Sequence, residues 1–185
     1  MIDAKRDYRS LLGVAPDDVW VFPPEKLPGN PLAPPPGLSP RRWEVLVADC
    51  FCSCFGLLGA TQSFLLRVID ALFTSRGIHA GSGDYPTLND LIDGLRKPPF
   101  RLAPVEHDYR ARALARAEGM RVALPALARQ REGLPIAQIP ARPRVVVLEL
   151  DGLSEMLFAF LSQVALLALY HHQMVAGGAA PFVWP

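Results

Sequence analysis

Arg144-Val145-Val146-Val147-Leu148-Glu149-Leu150 carries the strongest structural signal in the chain. A strand with one wet face alternates apolar and polar residues, whereas Val145–Leu148 is apolar at every position. That pattern suits a central parallel strand covered on both faces. The residues after it agree. Ser154 stands where a cap belongs, and Glu155–Val175 reads as a long helix, apolar almost all round and so expected to be buried on more than one side. Gly177-Gly178 would stop that helix, and Pro181–Trp184 begins another strand, so Val145–Trp184 is expected to form a strand–helix–strand crossover. At the other end of the chain, Met1–Asp3 reads as a strand end entering a polar turn, Ala4–Asp7. Asp18–Phe22 reads as a second short strand, closed by Pro23-Pro24.

Between these strands the pattern changes. The dense prolines from Pro23 to Pro40 exclude helix and predict an extended connector. Ser39-Pro40 then has the chemistry of a helix start, and the helix is expected to run to about Leu58. Thr61 is expected to cap a helix over Gln62–Arg76, and Thr87 a short one over Leu88–Leu95 with Leu88, Leu91, Ile92 and Leu95 on one face. A charged helical stretch follows over about His107–Arg131, kinked or divided at Pro125. The fold class is therefore α/β with a helical insertion: 1–38 and 133–185 as the α/β core, 39–132 as the insertion.

Composition narrows the function classes. Half of the 185 residues are apolar and a fifth are charged, a globular balance. Arginine supplies 16 of the 19 basic residues, a bias that points to a GC-rich genome more than to an activity. Met1–Leu12 is charged from Asp3 onward and does not read as a signal peptide. The apolar runs Trp43–Leu58 and Met156–Tyr170 fall short of the ~20 residues a membrane span needs. A cytoplasmic protein with no membrane span is the expectation.

Chemistry is sparse. Cys50, Cys52 and Cys54 lie in one helical run where Cys50 and Cys54 share a face and Cys52 points away, so three thiolates do not converge on an ion. A thiol-based site there is the weakest functional reading, and no metal is expected. His171 and His172 are adjacent and diverge on a helix near its C-terminus. No stretch matches a phosphate loop, a dinucleotide fingerprint, a zinc-protease helix or a nucleophile elbow. One charge asymmetry stands out: residues 96–131 hold nine basic and three acidic residues, leaving the rest of the chain net acidic. Arg110, Arg112, Arg116 and Arg121 are the candidates for contact with nucleic-acid phosphate or an acidic partner, against the plainer reading of a solvated helix face.

Several segments, taken in order, resemble the HerA/FtsK superfamily of hexameric motor ATPases. Ile2-Asp3-Ala4-Lys5-Arg6-Asp7-Tyr8 is similar to the strand that ends in Asp, a polar turn and an aromatic. Asn30-Pro31-Leu32, Pro34–Pro36 and Trp43 are similar to the family's Asn-Pro-Leu, proline and tryptophan-helix sequence. Phe55-Gly56-Leu57, Arg76-Gly77, Pro86-Thr87-Leu88 with Asp90-Leu91, and Val145–Leu150 with Gly152-Leu153 follow in the family's order. The resemblance implies a partial RecA-like P-loop ATPase sheet, internal to a DNA-translocating or conjugation-type motor. Asp3, Lys5 and Asp7, with Tyr8, would lie near that parent's nucleotide site. It also implies ATP and Mg as cofactors of the parent, the remainder of the parent ATPase as partner, a homo-hexamer, and possible contact with DNA. The family's phosphate loop and acidic Asp-Glu pair have no counterpart in these residues, so no catalytic residue is assigned and the chain alone is expected to be inactive. The alternative is a non-enzymatic interaction module derived from an ATPase.

Overall fold

The computed structural model describes residues 1–135 and 145–175. Strands β1 (Ile2–Asp3), β2 (Val19–Phe22) and β3 (Val145–Glu149) form a parallel sheet in the order β1-β3-β2. The valine-rich strand is the centre of it: Ile2 pairs with Leu148 and Asp3 with Glu149 on one side, while Val19 to Phe22 pair with Val145 to Leu148 on the other. The expected strand at Pro181–Trp184, and with it the far end of the crossover, lies outside the described residues. Coverage of β3 is uneven. Val147 and Glu149 are buried, but Val145, Val146 and Leu148 are only half-buried, so one face is sealed more tightly than an all-apolar run suggests.

Six helices accompany the sheet among the described residues: α1 (Leu11–Val14), α2 (Pro40–Cys54), α3 (Gly59–Ser75), α4 (Leu88–Arg96), α5 (Glu106–Ala123) and α6 (Glu155–Val175). Helix α2 starts as its sequence dictates, with Ser39 Oγ accepting from the Arg42 amide and Pro40 at the first position. It ends at Cys54, earlier than Leu58, because Gly56 turns left-handed at φ +63°. The expected cap at Thr61 is not one: α3 begins at Gly59, and Thr61 is a buried residue of its first turn. Thr87 does cap α4. Its Oγ1 accepts from the Asp90 amide while Asp90 Oδ2 accepts from the Thr87 amide at 2.7 Å, a reciprocal capping box. The charged stretch divides at Pro125 into α5 and a single 3-10 turn, Leu127–Arg129.

One apolar core joins α2 to α6 with Leu27 and Leu32 of the proline connector and Leu150 of the sheet end. Trp43, Phe64, Phe73 and Phe160 are its largest fully buried side chains, each worth about 1.5–3 kcal/mol of burial. As a crossover helix α6 is expected to pack across the sheet with Phe158, Leu161 and Leu169 largely buried, and it differs from that expectation in what it covers. It lies chiefly along α2, where Phe160 meets Phe51 and Phe55 at 5.7 and 5.8 Å, rather than across the sheet. Its buried face is accordingly Leu157, Phe160, Val164, Ala165 and Ala168, while Phe158, Leu161 and Leu169 are half-buried. None of the described helices is long and apolar enough to cross a membrane.

Two polar devices close this arrangement. The first is Asn30, buried in the proline connector. Its Nδ2 donates to the Pro86 and Arg131 carbonyls at 2.8 and 3.0 Å, and its Oδ1 accepts from the Leu32 amide at 2.9 Å. The second is the ion pair between Arg9 and Glu149, with Arg9 Nε and Nη2 donating to the two carboxylate oxygens at 2.7 and 2.8 Å. The Glu149 side chain has no solvent exposure at all, so that fork is what satisfies its two oxygens.

Replacing Asn30 should therefore be costly. Asn30→Ala should lower the unfolding free energy by about 2–3 kcal/mol, the cost of leaving buried carbonyls unpaired. Asn30→Asp should do more harm, since it turns two donors into an acceptor facing two carbonyls; denaturant titration of both variants checks this. Arg9→Ala should also lower the denaturation midpoint, by stranding the Glu149 carboxylate. Adding Glu149→Leu to Arg9→Ala should recover stability, and a double variant weaker than the single would show that the buried charge is not what matters.

Candidate functional site

The carboxyl ends of parallel strands are where open α/β sheets bind ligands. Here β1 ends in Asp3, which is buried and receives the Lys5 amide on Oδ1 at 2.9 Å and the Tyr8 amide on Oδ2 at 3.1 Å. The turn that delivers these amides needs Arg6 in the left-handed region, at φ 60°. Burial pushes the Asp3 carboxyl up, but the backbone amides of Lys5, Tyr8, Asp7 and Arg6 together outweigh it and hold the group below the ordinary carboxylate range. Asp3 is thus held as an anion by the turn that follows it. Next to it on β3 sits the Arg9–Glu149 pair, and Arg6 meets Asp151 at 2.8 Å. The side chains of Lys5 and Asp7 are exposed, so of the three predicted residues only Asp3 is built into the sheet end. A crevice between the sheet, the proline connector and α6, lined by Asn30, Leu148, Leu150 and Val164 among others, holds about 30 Å³, room for roughly one water molecule.

The α5 arginines do not form one patch. At about 100° per residue, Arg112 and Arg116 fall on one flank of the buried Ala113–Ala117–Met120 stripe and Arg110 and Arg121 on the other. Arg112 is paired with Asp108 at 3.0 Å, and the Arg110 Nε is buried without a hydrogen-bond partner. Arg121 instead joins Arg96 and Arg129, residues outside the predicted set, around a groove of about 300 Å³ that also includes Asn89, Asp93 and Pro125. Arg96 is engaged there by Asp93 and by Glu118, the latter at 2.7 Å.

Two further groups of chemically able side chains lie in the helical part. Cys50 and Cys52 are both buried, because α2 is packed by α3 and α6 on different sides, and Cys54 is half-buried. Burial pushes the Cys50 and Cys52 thiols up to about 11, and raises Cys54 as well, which leaves them protonated and unreactive at neutral pH. The second group was not visible in the sequence: Glu44 of α2, Asp70 of α3 and His79 of the turn Ile78–Ala80 converge, with one ligand atom of each within 4.8 Å of the others. Burial, and then the charge of Asp70, hold the Glu44 carboxyl above its ordinary value against the pull of His79 and Arg41.

No protein-family model matches the sequence, and no curated protein matches it either. Among solved structures the chain is similar to VirB4 of Thermoanaerobacter pseudethanolicus, at 14% identity and a TM-score of 0.62. The match covers 94% of this chain and 68% of that one. At that identity the likeness is one of fold.

Proposed function

We propose that this chain is the ATPase-derived part of a conjugation-type motor of the HerA/FtsK kind, and that by itself it does not turn over ATP. The observation that carries the proposal is the fold likeness to VirB4 over 94% of the chain, joined to an acidic strand end on the central sheet. In this reading 1–38 and 133–185 belong to a RecA-like core and 39–132 is the helical insertion. Asp3, Lys5 and Asp7 lie near the nucleotide site of the parent, which supplies the phosphate loop and holds ATP and Mg, and which assembles as a homo-hexamer on DNA.

Phosphoryl transfer is mostly positioning and electrostatics. It needs a backbone cradle for the phosphates, a lysine on them, a metal held by Ser/Thr and Asp, and a group orienting the attacking water. The 185 residues hold no such set. Asp3 accepts two backbone amides and Glu149 pairs with Arg9, contacts that hold the turn and the sheet end together.

Calorimetric titration of the purified chain with ATP and Mg should give no saturable heat, and phosphate release should stay at background. Saturable, magnesium-dependent binding in the micromolar range would sink the reading. For DNA, the groove arginines are the stronger candidates. Arg121→Glu with Arg129→Glu should weaken binding to a short duplex and flatten its salt dependence by about one unit of slope for each phosphate no longer neutralised. Arg112→Glu with Arg116→Glu, on the far flank of α5, should change it less. Equal weakening by both pairs would mean a diffuse charge effect and no defined DNA-binding groove.

A further inference from the structure

Glu44 is 5% exposed, yet its Oε2 has no hydrogen-bond partner. A buried carboxylate oxygen left unpaired costs free energy, and native structures rarely keep one without a use for it. This oxygen is aimed at His79 Nε2, 3.7 Å away, too far for a hydrogen bond and suitable for two ligands of one ion. His79 Nε2 is in turn 3.1 Å from Asp70 Oδ1. Three donors on three different elements therefore face one point.

We propose that Glu44, Asp70 and His79 form a binding site for a divalent transition-metal cation of the zinc class. The donor set is the first reason: one imidazole and two carboxylates suit a borderline ion such as Zn²⁺, Co²⁺ or Mn²⁺, whereas Mg²⁺ and Ca²⁺ favour oxygen alone. Geometry is the second. Ligands about 2.0–2.1 Å from a tetrahedral ion stand about 3.3–3.4 Å apart. The donor separations on either side of His79 Nε2, 3.1 and 3.7 Å, bracket that value. Asp70 closes the remaining distance readily, because its side chain is 45% exposed and able to turn.

Charge and access are the third reason. The two carboxylates make the site acidic, and the cation beside them among the described residues is Arg41. Its Nη1 is 3.4 Å from Asp70 Oδ1 and 4.0 Å from Glu44 Oε1, on a side chain mostly in solvent. Arg41 stands in the entry path as a cation that an arriving ion displaces. The coordination position on that side opens to water, so the site has three protein ligands and one free position. His79 Nδ1 is buried without a hydrogen-bond partner, so the ring lacks the outer acceptor that strengthens a histidine ligand. Affinity should accordingly be below that of a dedicated structural zinc site. A bound ion would tie α2, α3 and the turn after α3 to one another.

The full chain should be titrated with Co²⁺ and followed by its visible absorption, with Zn²⁺ as competitor. The expected result is one equivalent per chain, displaced by Zn²⁺, without the near-ultraviolet band of a thiolate ligand. Asp70→Asn and His79→Gln should each weaken binding at least about 100-fold, beyond the 10–100-fold typical of losing an outer partner. Asp70 is on the surface, so Asp70→Asn tests the site even if Glu44→Gln or His79→Gln disturbs folding. Arg41→Ala should tighten binding several-fold, an effect that a purely structural ion-pair cluster does not produce. No Co²⁺ spectrum from the folded chain, a thiolate band, or binding unchanged in Asp70→Asn would overturn the proposal.

Discussion

The buried carboxamide of Asn30 ties together the segments that lead into and out of the helical part of the fold. Its three hydrogen bonds reach the loop before α4, the return segment after α5, and the connector's own backbone. The neighbouring backbone completes the knot: the Asn30 amide donates to the Glu132 carbonyl at 2.7 Å, and Gln130 Nε2 donates to the Leu27 carbonyl at 2.7 Å. Trp43 Nε1 donates to the Pro31 carbonyl at 3.1 Å, fixing α2 to the same segment. Gly29 can only be glycine here. Its φ is +104°, and a Cβ would lie 2.8 Å from the Leu134 backbone. These bonds pin entry and exit side by side.

That pinning explains how a sheet can pair residues 2 and 148. Bringing the ends of a long segment together costs entropy that grows only slowly with length, but the cost must be met by contacts at the neck. The proline connector helps, because its prolines have little backbone freedom left to lose. The ladder then adds what side chains alone could not: β3 is hydrogen-bonded on both sides, and its last charged residue, Glu149, is closed over by Arg9. At the same end, Asp3 is more acidic folded than unfolded. Its contribution is present above the unfolded pKa and lost as pH falls through the lower folded value, so acid removes part of what holds this end of the sheet.

What could be read in the sequence was what local chemistry dictates. Ser39-Pro40 and Thr87 with Asp90 announce helix starts because the donors they satisfy are within three residues. The run Val145–Leu148 announces a parallel strand because it is unalternated, short and rich in β-branched valine, which packs well on a pleated sheet. Expectation went astray where a partner decides. Thr61 has the residue type of a cap, but the chain is already helical at Gly59. The side of α6 that is buried depends on α2 lying beside it, and periodicity is mute for a helix that is apolar all round. Glu44, Asp70 and His79 sit 26 and 9 residues apart with no motif spacing, so only the packing of α2 on α3 could reveal them.

The same division bears on a fold shared at 14% identity. The devices that hold this architecture are mostly backbone-level: a parallel ladder, two helix caps, a few left-handed glycines and one amide bridging carbonyls. Such devices constrain a handful of positions, while the core around them accepts many combinations of similar volume. A chain can therefore drift far in sequence and keep its shape. Chemistry has no such tolerance, because a phosphate cradle or a metal site needs particular atoms at particular points. The side chains on which the metal and DNA proposals rest are accordingly ones this architecture does not require: Glu44 with its unpaired oxygen, and Arg121 and Arg129 on their groove.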